Sequence, residues 1–309
     1  MLQCIKWGDI VNSENRNVRF IATSIKKIDI HAHVVPKLKK VVPGSIDDGI
    51  LLGIYDKLNV EKGVVLPIVK SGDDAGELTN TNAELVVSAH PDRFVRFTSV
   101  DLNCCDNLYE FLRAEKEKGA LGVGEIISNL YLDDEKVHNL FAACEKLNLP
   151  LLFHMSIAIG NGYGVVDDLG LPRLEKMLAQ YPEVKVIGHS QPFWSEISKV
   201  NTEYERKAYP KGKVIEGRLP ELLRKFDNLY CDLSAGSGAN ALMRDPEYAV
   251  KFINEFADRI MYGCDITLEE STYPYTFSGF LDRLVEDNEI SENIYLKICR
   301  DNAIKLLGM

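Results

Sequence analysis

The stretch Ile28-Asp29-Ile30-His31-Ala32-His33-Val34-Val35 decides how this chain is read. Its apolar run has the length of a buried β-strand, and Pro36 stops it. Side chains two positions apart on a strand point to one face, so His31 and His33 can reach a single ion together. The pair falls at the C-terminal end of the strand, where α/β folds carry their chemistry. The plain alternative is two histidines finishing a polar strand edge. The rest of the chain decides between the two.

Outward from this strand, apolar runs alternate with amphipathic segments. Strands are expected at 27–35, Gly63–Val69, Phe94–Asp101, Ala120–Ile127, Leu149–Ser156, Val184–Gln191, Leu229–Ala235 and Ile260–Ile266. Helical spacing of three and four marks Asp106–Lys118 and Asp134–Leu147, and Pro172 suits a first helical turn. Eight such units predict an α/β fold of the (β/α)8 TIM-barrel type. The rival, a doubly wound sheet, usually has fewer strands and often a glycine-rich first turn, which this sequence lacks. No compositional break divides the chain, so residues 1–309 are expected to form a single barrel domain, with 1–26 as a lead-in. The longest connections, Ile157–Leu171, Pro192–Val214 and Thr267–Thr276, follow strands 5, 6 and 8. All lie on the face where barrel enzymes build their sites.

Apolar content of 46% and charged content of 27% are those of an ordinary globular protein. A net charge of -10 argues against a non-specific nucleic-acid binder, which needs basic surface. No apolar run is long enough to span a bilayer. The start of the chain shows no signal-peptide pattern, and the seven cysteines are scattered without a C-x-x-C. The expectation is a cytoplasmic protein with reduced thiols.

The chemistry-bearing residues collect at strand ends. Strand 4 ends Gly122-Val123-Gly124-Glu125, strand 5 Phe153-His154-Met155-Ser156, strand 6 Ile187-Gly188-His189-Ser190 and strand 8 Tyr262-Gly263-Cys264-Asp265. Four of the six histidines, His31, His33, His154 and His189, sit at such ends. An ionisable group there is costly unless it is paired, hydrogen-bonded or bound to metal. Imidazoles and a carboxylate converging at a barrel mouth suit zinc or a similar divalent ion. A hydrogen-bonded polar plug without an ion is the alternative.

This combination resembles the amidohydrolase superfamily, and more closely the branch that includes aminocarboxymuconate-semialdehyde decarboxylase and related hydrolases. The resemblance runs from about residue 27 to 309. It is carried by Asp29-Ile30-His31-Ala32-His33, His90-Pro91-Asp92-Arg93-Phe94, Leu171-Pro172-Arg173-Leu174-Glu175, Tyr181-Pro182, His189, Tyr262-Gly263-Cys264-Asp265 and Asn302-Ala303-Ile304-Lys305-Leu306-Leu307-Gly308. It implies that His31, His33, His154 and Asp265 hold a metal; the ion expected is divalent, zinc before manganese and one before two, though the sequence fixes neither its identity nor its number. It also implies that Asp265 takes the proton from the activated water and that His189 orients or polarises the substrate. Binuclear relatives carry a carboxylated lysine on strand 4, where this chain has Glu125. In TatD-type nucleases a strand-4 glutamate is a metal ligand. Glu125 is therefore a candidate ligand, with a hydrogen bond to a ligand histidine as the alternative.

Weaker candidates surround this set. Tyr163, in Gly160-Asn161-Gly162-Tyr163-Gly164, is expected on a mobile loop over the site, in contact with substrate. Phe193 and Trp194 offer an aromatic wall, with loop packing as the equal alternative. Lys70 is a candidate partner for a substrate carboxylate, against the commoner solvated lysine, and Ser234 a candidate hydrogen-bonding group. Cys264 is expected to point away from Asp265, while His90 and His138 are assigned structural roles. The function expected is metal-dependent hydrolysis of a small organic substrate. Non-oxidative decarboxylation by the same site, a metal-dependent nuclease and a non-catalytic metal-binding barrel are the alternatives. The expected partner is a small molecule, with neither nucleic acid nor membrane. Relatives are commonly homodimers, though nothing in this chain shows an interface.

Overall fold

The computed structural model describes residues 25–70, 76–160 and 162–309. Residues 1–24 of the expected lead-in, and Asn161 of the glycine-rich loop, lie outside the described residues. All eight expected strands are present: β1 (Lys27–Ala32), β2 (Val60–Val65), β3 (Phe94–Thr98), β4 (Ala120–Ile126), β5 (Leu151–Ser156), β6 (Val186–His189), β7 (Leu229–Asp232) and β8 (Ile260–Met261). Each pairs in parallel with the next. A two-residue strand, Val165–Val166, adds to β5 outside this ring. The seam from β8 back to β1 is made by Ile30 N–H donating to Tyr262 O at 3.0 Å and Asp265 N–H donating to His31 O at 2.8 Å. With helices between the strands, this is a (β/α)8 barrel. No helix among the described residues is long and apolar enough to cross a membrane.

Ile28, Ile30, Val64, Leu66, Phe97, Leu152, Ile187 and Met261 fill the barrel interior, with Ala303 and Leu307 of the last helix packed against them. A larger apolar cluster lies between strands and helices. Strict alternation along β1 would send His31 outward with Asp29, because Ile28 and Ile30 point inward. The strand avoids this with an extra residue. Asp29 pairs with Gly63 and Ala32 with Val65, so three steps on β1 match two on β2. That bulge re-aims His31 to the side of His33. A second irregularity, between Val123 and Ile126 of β4, brackets Glu125.

Several strands end before their apolar runs do. β2 starts at Val60, directly after the left-handed Asn59, and ends at Val65, because Pro67 has no N–H to continue the ladder. β8 is two residues long because the amides that follow it are taken elsewhere. Tyr262 N–H goes to Ile298 O and Cys264 N–H to the Asp29 carboxylate. β7 stops at Asp232, whose carboxylate accepts the Ser234 N–H. Pro172 does open a helix, Pro172–Gln180.

Away from the mouth, one buried ion pair ties two helices to β3. Arg96 donates to Glu115 at 2.8 Å on helix Leu108–Glu117 and to Glu84 at 3.0 Å on helix Asn80–Ala89. Both Arg96 and Glu115 are buried. Removing one partner of such a pair leaves the other charge stranded. Arg96→Met is expected to lower the unfolding free energy by about 3 kcal/mol in urea titration. A change within about 0.5 kcal/mol, the usual surface range, would show the pair to be incidental.

Candidate metal centre

The imidazoles of the barrel mouth are held from behind. His31 Nδ1 lies 2.6 Å from Asp232 Oδ2, and His33 Nδ1 donates to Leu66 O at 2.9 Å. His189 Nδ1 lies 3.1 Å from Ser234 Oγ and 3.2 Å from Asp232 Oδ2. With Nδ1 occupied, the Nε2 atoms of all three point into one space. His31 and His33 Nε2 are 3.0 Å apart. Asp265 enters from the end of β8, with Oδ1 at 3.6 Å from His31 Nε2 and 3.5 Å from His33 Nε2, and Oδ2 at 3.5 Å from His189 Nε2. Glu125 Oε2 lies 3.3 Å from His33 Nε2, and Oε1 lies 2.8 Å from His154 Nδ1. The structure thus gathers three overlapping groups of donors: His31, His33 and Asp265; Glu125, His154 and His189; and His31, His189 and Asp232. His154, expected beside His31 and His33, faces Glu125 instead.

The electrostatics follow from burying so many charges together. Burial opposes a charged imidazole at His33, but the Glu125 hydrogen bond and the Asp265 charge outweigh it and hold the ring at about 9. His189 is likewise disfavoured by burial, yet held at about 9 by Asp232 and then by Glu125 and Asp265. Burial raises Asp232 and Glu125, and the facing imidazoles more than reverse it, leaving both carboxyls well below the usual carboxylate range.

Three weaker candidates are corrected. Trp194 is buried, and its Nε1 donates to Asp232 O at 2.8 Å, so with Phe193 it is core rather than a wall of the site. Helix Gln191–Ser195 starts at once after β6 and turns both rings inward. Ser234 is buried too. Its hydroxyl donates to Asp232 at 2.8 Å and meets His189, so it positions those groups rather than a substrate. Lys70 lies five residues beyond the end of β2 and is exposed. Tyr163 is half-exposed, with its ring 4.5 Å from that of His154. Gly164 beside it has φ +104°, and a Cβ there would meet His154 O at 2.6 Å, which is why the loop carries glycine at that point. Cys264 packs in the outer core, as expected.

Two further groups escaped the sequence reading. Asp232 ends a strand just as the chosen residues do, and that was the available signal. Asp29 accepts from His31 N–H, Cys264 N–H and the Tyr55 hydroxyl at 2.9, 2.8 and 2.7 Å. Burial pushes its carboxyl up to about 6 against those bonds.

The model of the amidohydrolase family matches residues 28–309. The chain belongs to this family. Solved structures similar to this chain include 2,6-dihydroxybenzoate decarboxylase from Rhizobium, 18% identical with a TM-score of 0.60 over 92% of this chain and 99% of that one. Another is 5-carboxyvanillate decarboxylase from Novosphingobium aromaticivorans with bound manganese, 16% identical with a TM-score of 0.60 over 93% and 98%. A third is a probable 2-pyrone-4,6-dicarboxylic acid hydrolase from Acinetobacter baumannii, 17% identical with a TM-score of 0.58 over 92% and 100%. At these identities the likeness is one of fold. No curated protein matches the chain.

The donor atoms of this family member fit a divalent ion. Four ligands bound at about 2.0–2.1 Å in a tetrahedron stand roughly 3.3 Å from one another. The imidazole–imidazole and imidazole–carboxylate spacings among His31, His33, Asp265 and Glu125 run from 3.0 to 3.8 Å. Nitrogen and carboxylate donors suit zinc and manganese alike. In the ion-free protein, His33 and His189 keep their protons at neutral pH, because their pKa lies near 9. A ligating imidazole is neutral, so an entering ion displaces protons, and lower pH favours the protons. Calorimetric titration with Mn²⁺ should therefore show proton release at neutral pH and tighter apparent binding at about pH 8 than at about pH 6. Equal affinity at both would mean that the protonated imidazoles are not ligands.

Proposed function

We propose that this amidohydrolase uses a divalent ion at His31, His33 and Asp265, with Glu125 beside them, to hydrolyse an ester, lactone or amide bond in a small organic molecule. The observation that carries the reading is the placement of Asp265. Its side chain keeps 15% of its surface open, against 3% for Glu125 and none for Asp232, and it faces both His31 and His189. When bound, a divalent ion acidifies a water to a pKa of about 7 and polarises a substrate oxygen.

Asp265 is the carboxylate that meets both the solvent side and the imidazoles, so it takes the proton of the attacking water and returns it to the leaving group. His189, fixed through Nδ1, presents Nε2 to the bond being broken. Tyr163 packs its ring against the substrate. The carboxylates of Asp265, Glu125 and Asp232 repel a substrate carboxylate, which favours a neutral electrophile. The nitrogen side chains within 4 Å of these carboxylates, among the described residues, are imidazoles.

Decarboxylation is the second reading, and the fold neighbours favour it, since two of the three named above are decarboxylases of aromatic acids. Product analysis separates the two: hydrolysis of esters, lactones and amides on one side, carbon dioxide release from aromatic or unsaturated acids on the other. Asp265→Asn is expected to cut turnover by roughly 10²–10⁴-fold with an unchanged circular dichroism spectrum. Full activity in that variant would remove Asp265 as the base.

A further inference from the structure

The connection Pro192–Val214 is pinned at three points. Arg206 is fully buried, which is costly for an arginine unless its donors are met. It donates to Asp167 O at 2.6 Å and to Pro192 O at 3.3 Å, and lies 3.3 Å from the Glu196 carboxylate. The Gln191 amide donates to Ala208 O, and the Asn240 amide to Pro210 O at 3.2 Å. Gln191 is two residues past His189, and Asn240 belongs to helix Ala235–Met243, which follows β7. Tyr209 is held between these last two anchors, yet it is half-exposed.

The held ring falls on the β7 side of His189. Its edge lies against the first turn of helix Ala235–Met243, where a Cβ on Gly236 would meet it at 3.6 Å. That turn follows Ser234, whose hydroxyl is 3.1 Å from His189 Nδ1. On the β5 side, Tyr163 sets its ring 4.5 Å from that of His154, and His154 pairs with His189 across β5 and β6. The barrel order is β5, β6, β7, so His189 stands between the two tyrosines. Both phenols are raised, first by burial and then by charge: Asp265 acts on Tyr209, while Glu125, Asp265 and Tyr209 act on Tyr163. The two hydroxyls therefore share one mouth.

Two half-exposed tyrosines that flank one imidazole offer faces and edges to a ring, and aromatic pairs favour offset-stacked or edge-to-face contact. The carboxylates beneath them suit a ring without negative charge. We propose that Tyr209 determines substrate specificity, forming with Tyr163 the two walls of a slot that takes a flat, uncharged ring beside the bond being cleaved. Aryl substrates are then preferred to saturated-ring substrates of the same size. This rests on the reading of the mouth as the ion-assisted substrate site, and it names the substrate class of that site.

The test titrates the Mn²⁺-loaded full chain by calorimetry with benzohydroxamic acid and cyclohexanecarbohydroxamic acid. The two share one metal-binding group and differ in the flatness of the ring. The wild type should prefer the aryl ligand about tenfold. Tyr209→Leu should abolish that preference, and Tyr209→Phe, which keeps the ring, should retain it. Equal affinities in the wild type, or an undiminished preference in Tyr209→Leu, would overturn the slot. Loss of the preference in Tyr209→Phe would overturn the role of the ring. Binding of neither ligand would overturn both the slot and the ion-assisted site. Hydrolysis of the methyl esters of the two parent acids separates the claims further. No turnover with the ligand preference intact would remove hydrolysis and leave the slot. Turnover of both esters at a ratio unchanged by Tyr209→Leu would remove the slot and leave hydrolysis. The wild-type comparison decides the proposal even if a variant fails to fold.

Discussion

The mouth of this barrel depends on the Asp232 carboxylate. It is fully buried, lies 2.6 Å from His31 Nδ1, accepts the Ser234 hydroxyl at 2.8 Å and reaches His189 Nδ1 at 3.2 Å. Because the facing imidazoles keep it ionised against the cost of burial, it fixes where each ring carries its proton. The Nε2 atoms are thereby aimed before any ligand arrives. Leu66 O does the same for His33. Side chains from β1, β6 and β7 are tied to one anion, so the strand ends move as a unit and little reorganisation is left for binding.

Asp29 plays the matching part at the seam. β8 and β1 share few ladder bonds, and the Asp29 carboxylate joins them by accepting Cys264 N–H as well as His31 N–H. Tyr55 completes its shell from helix Asp48–Leu58. A carboxylate with three donors meets most of its hydrogen-bonding capacity, which offsets the desolvation that lifts its pKa to about 6. The seam is consequently short in strand and rich in side-chain bonds. Asp265, next to Cys264, is delivered to the mouth by the same stretch of chain.

What was legible in the sequence was whatever burial makes expensive. His31, His33, Glu125, His154, His189 and Asp265 each close an apolar run, and the cost of an ionisable group there marked them out. Asp232 carried the same mark, but the run was read on to Ala235, so the strand end was placed late and Ser234 stood in for it. Lys70 was displaced by the same error on β2. Trp194 failed for a different reason. Whether a residue after a strand faces the mouth or the core depends on where the next helix starts, and helix Gln191–Ser195 starts at once. The β1 bulge was beyond reach, because it exists only relative to the pairing on β2. The division of the donors around Glu125 was equally hidden, since spacing along the chain says nothing about which oxygen faces which ring.

The buried carboxylates divide their work by exposure. Asp29 and Asp232 are wholly enclosed, and hydrogen-bond donors from the protein engage both oxygens of each. They hold shape and tautomers. Glu125 is nearly as enclosed, but each of its oxygens faces imidazoles rather than fixed backbone donors, which is the setting of a ligand. Asp265 keeps an open edge. Its backbone is left-handed, with φ 50°, a conformation that aspartate tolerates better than most residues, and the Tyr273 hydroxyl bonds its carbonyl. Four carboxylates of similar intrinsic acidity thus differ in setting through their surroundings alone, and the proposed ligand and proton-carrier roles follow those settings. The barrel sets those surroundings through strand ends and the irregularities of β1 and β4, so the centre keeps its geometry while the loops above it are free to set which substrate enters.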